Sequence, residues 1–377
     1  MTRYIYQLPD WPNFFWDHVK LSTLLAHIHQ RQGHIMGTMR VLGFSVQNEA
    51  ALNMLTLDVI KSSEIEGEVL NEAQVRSSVA RRLGIHLEKY TQTTRQVEGV
   101  VEMMVDATQH FNEPLTDERL FNWHIALLGS ERSLRNAYLK IGVWRDDLTG
   151  PMQVVSGSIG RERVHFEAPP ASCLESEMKI FIDWVNHKHD DLDPIIKAAI
   201  AHFWFVTLHP FDDGNGRIAR AITDWLLARH EQRAERFYSL SAQIRQERKT
   251  YYEILESTSK GTLDITLYLE WFLHCLDRAF DKTEQIIEAV LFKTKFWEDH
   301  ANTTLNDRQK FILNKLIDGF TGKLTSTKWA KLTKCSQDTA LRDIQALIVL
   351  GILVKEPSGG RSTSYTLLPL NRSQLIY

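Results

Sequence analysis

Cysteine is scarce: Cys173, Cys275 and Cys335 are the only three in 377 residues. They are odd in number and far apart, so neither a disulfide framework nor a zinc cluster is expected, and they read as plain thiols. Long apolar runs are missing too, and none approaches the ~20 residues of a membrane-spanning helix. The start, MTRYIYQLPDWPNFFWDH, puts charges and prolines where a signal peptide needs a continuous apolar core, which makes the cytoplasm the expected location. There is no G-x-x-x-x-G-K-[ST] run, so a P-loop is not the phosphate site. Excess charge of one sign is also lacking, at a formal −3. With 43% hydrophobic and 24% charged residues, the composition is that of an ordinary soluble globular protein of two or three domains.

What is present is concentrated in twelve residues, HPFDDGNGRIAR, from His209 to Arg220. Apolar residues from about Pro194 to Thr207, and again after Gly216, recur at the spacing of buried helix faces. Between these two helices Gly214 and Gly216 let the backbone turn and bring N–H groups close to an anion. The second helix then offers unpaired amides and its positive dipole end. Arg217 and Arg220, one turn apart, can add charge-assisted contacts to phosphate oxygens. Asp213 is a natural oxygen ligand for Mg2+ bridging those phosphates. His209 is the residue whose ordinary pKa suits a general base near neutrality.

These twelve residues match the motif HPFxDGNGRxxR at every defined position, and the chain is thereby identified as resembling the Fic (fido) family. The resemblance implies a mainly α-helical core over about residues 116–280 with a β-hairpin flap. It further implies an ATP-binding set of Asp213, Gly214, Asn215, Gly216, Arg217, Ile218, Ala219 and Arg220. In that set Asn215 and the Gly214 and Gly216 amides stabilise the α-phosphate, and Arg217 and Arg220 grip the β- and γ-phosphates. A related kinase pattern carries Lys where this chain has Gly216.

Upstream, KSSEIEGE spaces Ser62, Glu66 and Gly67 as S-x-x-x-E-G. If helix continues through it, Ser62 and Glu66 share a face at i, i+4, and Gly67 is the C-terminal stop. The segment resembles the inhibitory helix of many Fic proteins. By that likeness Glu66 pairs with Arg220 and takes the place of the ATP γ-phosphate. Keeping about 99% of molecules closed requires only about 2.7 kcal/mol, within reach of one Arg–carboxylate pair.

Elsewhere the N-terminal stretch is helical in pattern, from a helix entry at Trp11-Pro12-Asn13 through Phe15, Val19, Leu21, Leu24, Leu25 and Ile28. A second helix begins near Gln47. Residues 75–111 and 116–138 read as scaffold helices. Residues 142–170 read as a hairpin through Val154-Val155 and Val164-His165-Phe166. Its edge can hold an extended peptide. The hairpin resembles the Fic flap between Gly-x-x-Arg and Pro-Pro, which implies that Val164, His165, Phe166 and Glu167 sit over the nucleotide. His165 itself is expected to be a spectator, with no carboxylate or second His placed to make it a metal ligand. The family likeness also puts Tyr251 and Tyr252 near the adenine and Ser259 at a nucleotide contact.

Residues 301–377 hold eleven Lys plus Arg against five Asp plus Glu, a net of +6. Three helical stretches and a strand, glycine turn and strand follow there in winged-helix order. Lys334, Arg342, Gln345 and Arg361 are the DNA contacts such a module implies.

The expected divisions are an N-terminal helical domain (1–115), a Fic core (116–280), a connector helix (281–300) and a winged helix (301–377). The expected function is transfer of AMP from ATP, with Mg2+, to a Ser, Thr or Tyr hydroxyl of a target protein. His209 is the base, and Glu66 inhibits in cis. Removal of AMP at the same site, or DNA-linked regulation through a nucleotide-sensing core, are the alternatives. The sequence leaves homodimerisation open.

Overall fold

Apolar residues at helical spacing recur along most of the chain, and a computed structural model of the protein is correspondingly mainly α-helical. It describes all residues except 1–2, 42, 130–138, 149, 158–160, 162, 190, 318–319, 321, 357–362 and 369–377. Two compact units emerge, Met1–Thr283 and Glu284–Tyr377, so the expected N-terminal domain and core together make one of them.

In the first unit α1 (His18–Val41) and α2 (Phe44–Ile65) are followed by α3 (Glu72–Arg82), α4 (Arg95–Gln109) and α5 (Asp117–Leu128). Strands β1 (Gln153–Ser156) and β2 (Arg163–Glu167) pair antiparallel, with Val155 opposite Val164. Helices α6 (Ala171–Asn186), α7 (Pro194–Leu208), α8 (Asn215–Glu231), α9 (Leu240–Gln246) and α10 (Arg248–Ser259) come next, before α11 (Thr266–Asp299), one helix that extends past Thr283. Start signals are local: Asn71, Thr94, Thr116 and Ser239 each cap the following helix by accepting a first-turn amide proton. Asp193 does so for two amides of α7, whose first residue is Pro194.

Helix α7 is apolar on nearly all sides, and Ile195, Ala199, Ile200, Phe203 and Phe205 are among its wholly buried positions. Such a helix can only be central. It packs against α8, whose Ile218, Ala221, Ile222 and Trp225 are equally buried. Helix α2 docks on α9, where the Asp58 carboxylate accepts from Ser239 Oγ at 2.5 Å and from the Ser241 amide at 3.2 Å. The segment that ends α2 is therefore held over the N-terminal half of α8.

The expected helix entry at Trp11 does not form. The Phe15 amide instead donates to Leu263 O, and Ile265 N donates to Phe15 O, a bridge that commits this backbone to an extended path. Helix starts only at His18, leaving Phe15 and Val19 exposed. The second part of the expected 116–138 helix pair lies outside the described residues.

The second unit contains α12 (Asp307–Ile317), α13 (Ser326–Thr333), α14 (Gln337–Val349) and the antiparallel pair β3 (Leu353–Lys355) and β4 (Tyr365–Leu367). Its core gathers Ile312, Leu313, Leu324, Trp329, Ile344, Leu347 and Leu353. Lys334, Arg342 and Gln345 are solvent-exposed, while Arg361 lies outside the described residues.

Candidate active site

The site grows from the turn between α7 and α8. Helix α7 ends on His209 in the left-handed region (φ 48°, ψ 57°), and Gly214 at φ 82° opens α8. A side chain at Gly214 would be strained by that φ and would meet Leu127 at 2.8 Å. Asn215 closes the loop on itself: its Oδ1 accepts from Phe211 N at 3.0 Å and its Nδ2 donates to Phe211 O at 2.7 Å. The Asn215 side chain is thus a clasp, and what it can give an anion is its backbone amide, one of the first-turn N–H groups that an α-helix leaves without an internal partner. Ile218 and Ala219, expected at the nucleotide, are wholly buried core positions between the two arginines.

His209 is half-buried, and its Nδ1 lies 3.2 Å from Val206 O. A carbonyl can only accept, so Nδ1 carries the proton and Nε2 keeps its lone pair. Burial pushes the imidazole down to about 4, helped by the Arg145 charge and opposed by the Val206 bond and by the Glu66 and Asp213 charges. Burial is thus what favours the neutral ring at pH 7.

Arg145 was legible in the sequence only as a marker at the start of the flap. It is buried, and its Nε donates to His209 O at 2.8 Å and its Nη2 to Pro169 O at 2.5 Å. Its backbone amide donates to Pro210 O at 3.0 Å, and Asp147 balances its charge at 2.9 Å. One guanidinium thereby fixes the strained His209 backbone to the end of the flap.

Both signature arginines are buried, and both meet carboxylates from the end of α2. Helix α2 stops at Ile65, with Glu66 as its C-cap and Gly67 at φ 89° turning the chain back. Arg220 donates from Nε to Ser62 Oγ at 2.9 Å and from Nη2 to Ser62 O at 2.9 Å and Glu66 Oε1 at 2.8 Å. Ser62 and Glu66 therefore share one guanidinium although Glu66 lies just beyond the helix. Burial alone would raise the Glu66 carboxyl, but Arg220, with Arg217 and Arg248 behind it, holds it below the ordinary carboxylate range.

Arg217 Nη1 takes both oxygens of Glu68, each at 2.7 Å. Glu68 was not among the expected site residues. Its only signal was a second carboxylate two positions after Glu66. Gly216 makes room for Glu66, because a Cβ there would stand 2.2 Å from Glu66 Oε1 and 3.2 Å from Arg220 Nη1. That Nη1, and Nε of Arg217, are buried without a hydrogen-bond partner among the described residues. Buried N–H groups without a partner are costly.

Asp213 is more than half exposed, its Oδ1 accepting from Gly214 N at 2.6 Å. Tyr251 is buried, its hydroxyl paired with His202 Nε2 at 2.9 Å. Tyr252 stands outside it, 36% exposed, with Arg248 over its ring. Ser259 is buried and donates to Glu256 O at 3.0 Å within its own helix, so its hydroxyl is used locally.

Two hairpin side chains take partners from outside the hairpin. Phe166 turns into an aromatic cluster with Tyr4 and Tyr6 rather than over the turn. His165 is tied into the surrounding structure: Nδ1 lies 2.6 Å from Glu256 Oε2 on α10 and Nε2 lies 2.5 Å from Ser156 Oγ. The carboxylate comes from a residue 91 positions away, a pairing that no local pattern announces. Glu167 accepts from Gln153 across the hairpin, and Val164 is exposed beside Val155.

Residues 114–227 match the family model described as the Fic/DOC family, and residues 4–85 match one described as a domain of unknown function (DUF4172). The protein adenylyltransferase Fic of Nematostella vectensis is 36% identical over 115 residues, 30% of this chain and 25% of that protein. That of Drosophila willistoni is 33% identical over 132 residues, 34% of this chain and 25% of that protein. The chain thus spans about a quarter of the length of these curated relatives. Among solved structures, a Fic family protein from Desulfovibrio desulfuricans G20 superposes with a TM-score of 0.52 at 19% identity, covering 93% of this chain and 97% of that one. Fic-1 from C. elegans gives 0.50 at 22% identity over 73% of this chain and 74% of that one. These two likenesses concern the fold.

Proposed function

Because this chain belongs to the Fic family through residues 114–227, we propose that it is a protein adenylyltransferase, which moves AMP from ATP to a Ser, Thr or Tyr hydroxyl of a target protein, and that Glu66 holds it closed. The observation that carries this reading is the Arg220 guanidinium shared between Ser62 and Glu66, together with a histidine whose Nδ1 faces the Val206 carbonyl, which makes Nε2 the acceptor. The name borne by the curated relatives, protein adenylyltransferase, supports the reaction class.

In this reading His209 Nε2 accepts the target hydroxyl proton as the oxygen attacks the α-phosphorus, and pyrophosphate leaves. The first-turn amides of α8 bear on the α-phosphate. Arg217 and Arg220 take the β- and γ-phosphates, Arg220 once Glu66 withdraws from it. Asp213 would hold Mg2+, for which one carboxylate together with phosphate oxygens is an ordinary ligand set. Its exposed side chain at the mouth of the turn fits that role. The hairpin, whose strands pair only with each other among the described residues, would align an extended target segment.

The test is incubation of a Glu66→Gly variant with α-labelled ATP in cell lysate. Label should enter protein with Glu66→Gly and not with Glu66→Gly/His209→Ala, whose melting curve should stay that of a folded protein. Label transfer that survives loss of His209 would remove the base from the mechanism.

Removal of AMP is the second direction for the same site. It is favoured by the Glu66 charge being close enough to His209 to act on its titration, so that Glu66 could position a water. Incubating modified target with and without ATP separates the two directions. For Glu284–Tyr377, the exposure of Lys334, Arg342 and Gln345 supports the winged-helix reading with DNA contact. A salt-dependent gel shift lost in Arg342→Ala tests it.

A further inference from the structure

Each signature arginine has its own carboxylate, and only one of the two is explained by the reading above. The turn at Gly67 that ends α2 sends Glu66 to Arg220 and, two residues on, Glu68 to Arg217. The second contact is the closer of the two in geometry: both Glu68 oxygens lie 2.7 Å from Arg217 Nη1. Arg217 is 2% exposed and the Glu68 side chain 25%. A guanidinium so buried cannot trade this carboxylate for water at little cost, so a phosphate that uses Arg217 has to take the place of Glu68.

We infer that Glu68 is a second anionic gate, one that governs the nucleotide subsite at Arg217 separately from the gate Glu66 makes at Arg220. The inference rests on the nucleotide-binding reading of the site, and goes beyond it by assigning a residue and a subsite. Removing Glu66 alone leaves Arg217 still clasped, so a Glu66→Gly protein is only half open. The two gates differ in what they discriminate. If Arg217 serves the β-phosphate, Glu68 opposes ADP and ATP and is indifferent to AMP. The gate is also sequence-coupled to the first, because Gly67 separates the two carboxylates, and withdrawal of the α2 terminus would free both arginines together.

Equilibrium binding of AMP, ADP and ATP to four proteins tests this: the unaltered chain, Glu66→Gly, Glu68→Gln and Glu66→Gly/Glu68→Gln. Glutamine keeps the length and removes the charge. In the Glu66→Gly background, Glu68→Gln should tighten ADP and ATP by about five- to tenfold, the effect of a partly exposed charge pair, and leave AMP within about twofold. Equal ATP affinity in Glu66→Gly and the double variant overturns the gate, as does weaker binding in the double variant or an equal gain for AMP. Binding of ATP that responds as expected without any label transfer would sink the transferase reading while leaving the gate. No nucleotide binding by any of the four, with melting curves showing them folded, overturns both.

Discussion

Replacing Glu66 by glycine removes one carboxylate from a guanidinium that keeps two other contacts, and the size of the effect follows from where the two ends lie. Arg220 is 1% exposed and the Glu66 side chain 29%, so the pair is neither a surface bridge worth less than 1 kcal/mol nor a fully buried one worth 3–5 kcal/mol to break. An intermediate ~2 kcal/mol corresponds to about 30-fold in ATP affinity. The ion pair at 2.8 Å is lost, while Ser62 still accepts from Nε and Nη2 and keeps the guanidinium in place. The space above Gly216 that Glu66 Oε1 fills is vacated at the same time. Titrating ATP against the unaltered and Glu66→Gly proteins by calorimetry, and following label transfer from α-labelled ATP, reads both consequences. Tighter ATP binding and faster transfer are expected together. A folded Glu66→Gly protein with unchanged ATP affinity and unchanged transfer would refute the assignment of Glu66 as a competitor for Arg220.

Three further outcomes are expected. Arg145→Lys keeps the charge but cannot reach His209 O and Pro169 O at once, so kcat should fall by roughly tenfold, the worth of one charge-assisted hydrogen bond, with ATP affinity unchanged. A matching loss of ATP affinity would mean that Arg145 acts on the nucleotide instead. Glu256→Gln should loosen the hairpin, seen as faster amide exchange over residues 163–167 with α8 unaffected, because it weakens the tether to His165. Unaltered exchange there would show that the Phe166 cluster alone holds the hairpin. Finally, His124 and His202 are pushed by burial down to about 4 and about 3. Their folded-state values lie below the ordinary 6.5, so between pH 6.5 and about 4 the unfolded chain takes up protons that the folded one refuses. Stability should therefore fall with pH across that window, by at most about 1.4 kcal/mol per pH unit for each group. Thermal melts at pH 7, 6 and 5 measure it, and a melting temperature that rises on acidification contradicts the burial of both rings. Glu66 acts in the same direction but lower on the scale: held below the ordinary carboxylate range, it keeps its contribution at these pH values and loses it only on further acidification.

Local order in the chain already contained much of this protein. Twelve consecutive residues carry the base, the turn glycines and both arginines, because a helix, a tight turn and a helix are short-range objects written by spacing, and no distant partner is needed to recognise them. The S-x-x-x-E-G stretch likewise carries its own geometry, since a helix end with a glycine stop fixes Ser62 and Glu66 on one side. Family likeness then joined Glu66 to Arg220, a pair 154 residues apart that spacing alone could not connect. What only the tertiary structure decided lies across larger gaps or in the competition of contacts. Asn215 spends its side chain on Phe211 rather than on a ligand, and Phe15 gives its amide to Leu263 rather than to a helix. His165 finds Glu256, Arg145 finds the His209 carbonyl, and Glu68 finds Arg217. In each case the side chain's chemistry was visible in the sequence, but its partner was set by how helices pack, and packing is a property of the whole core rather than of any one segment.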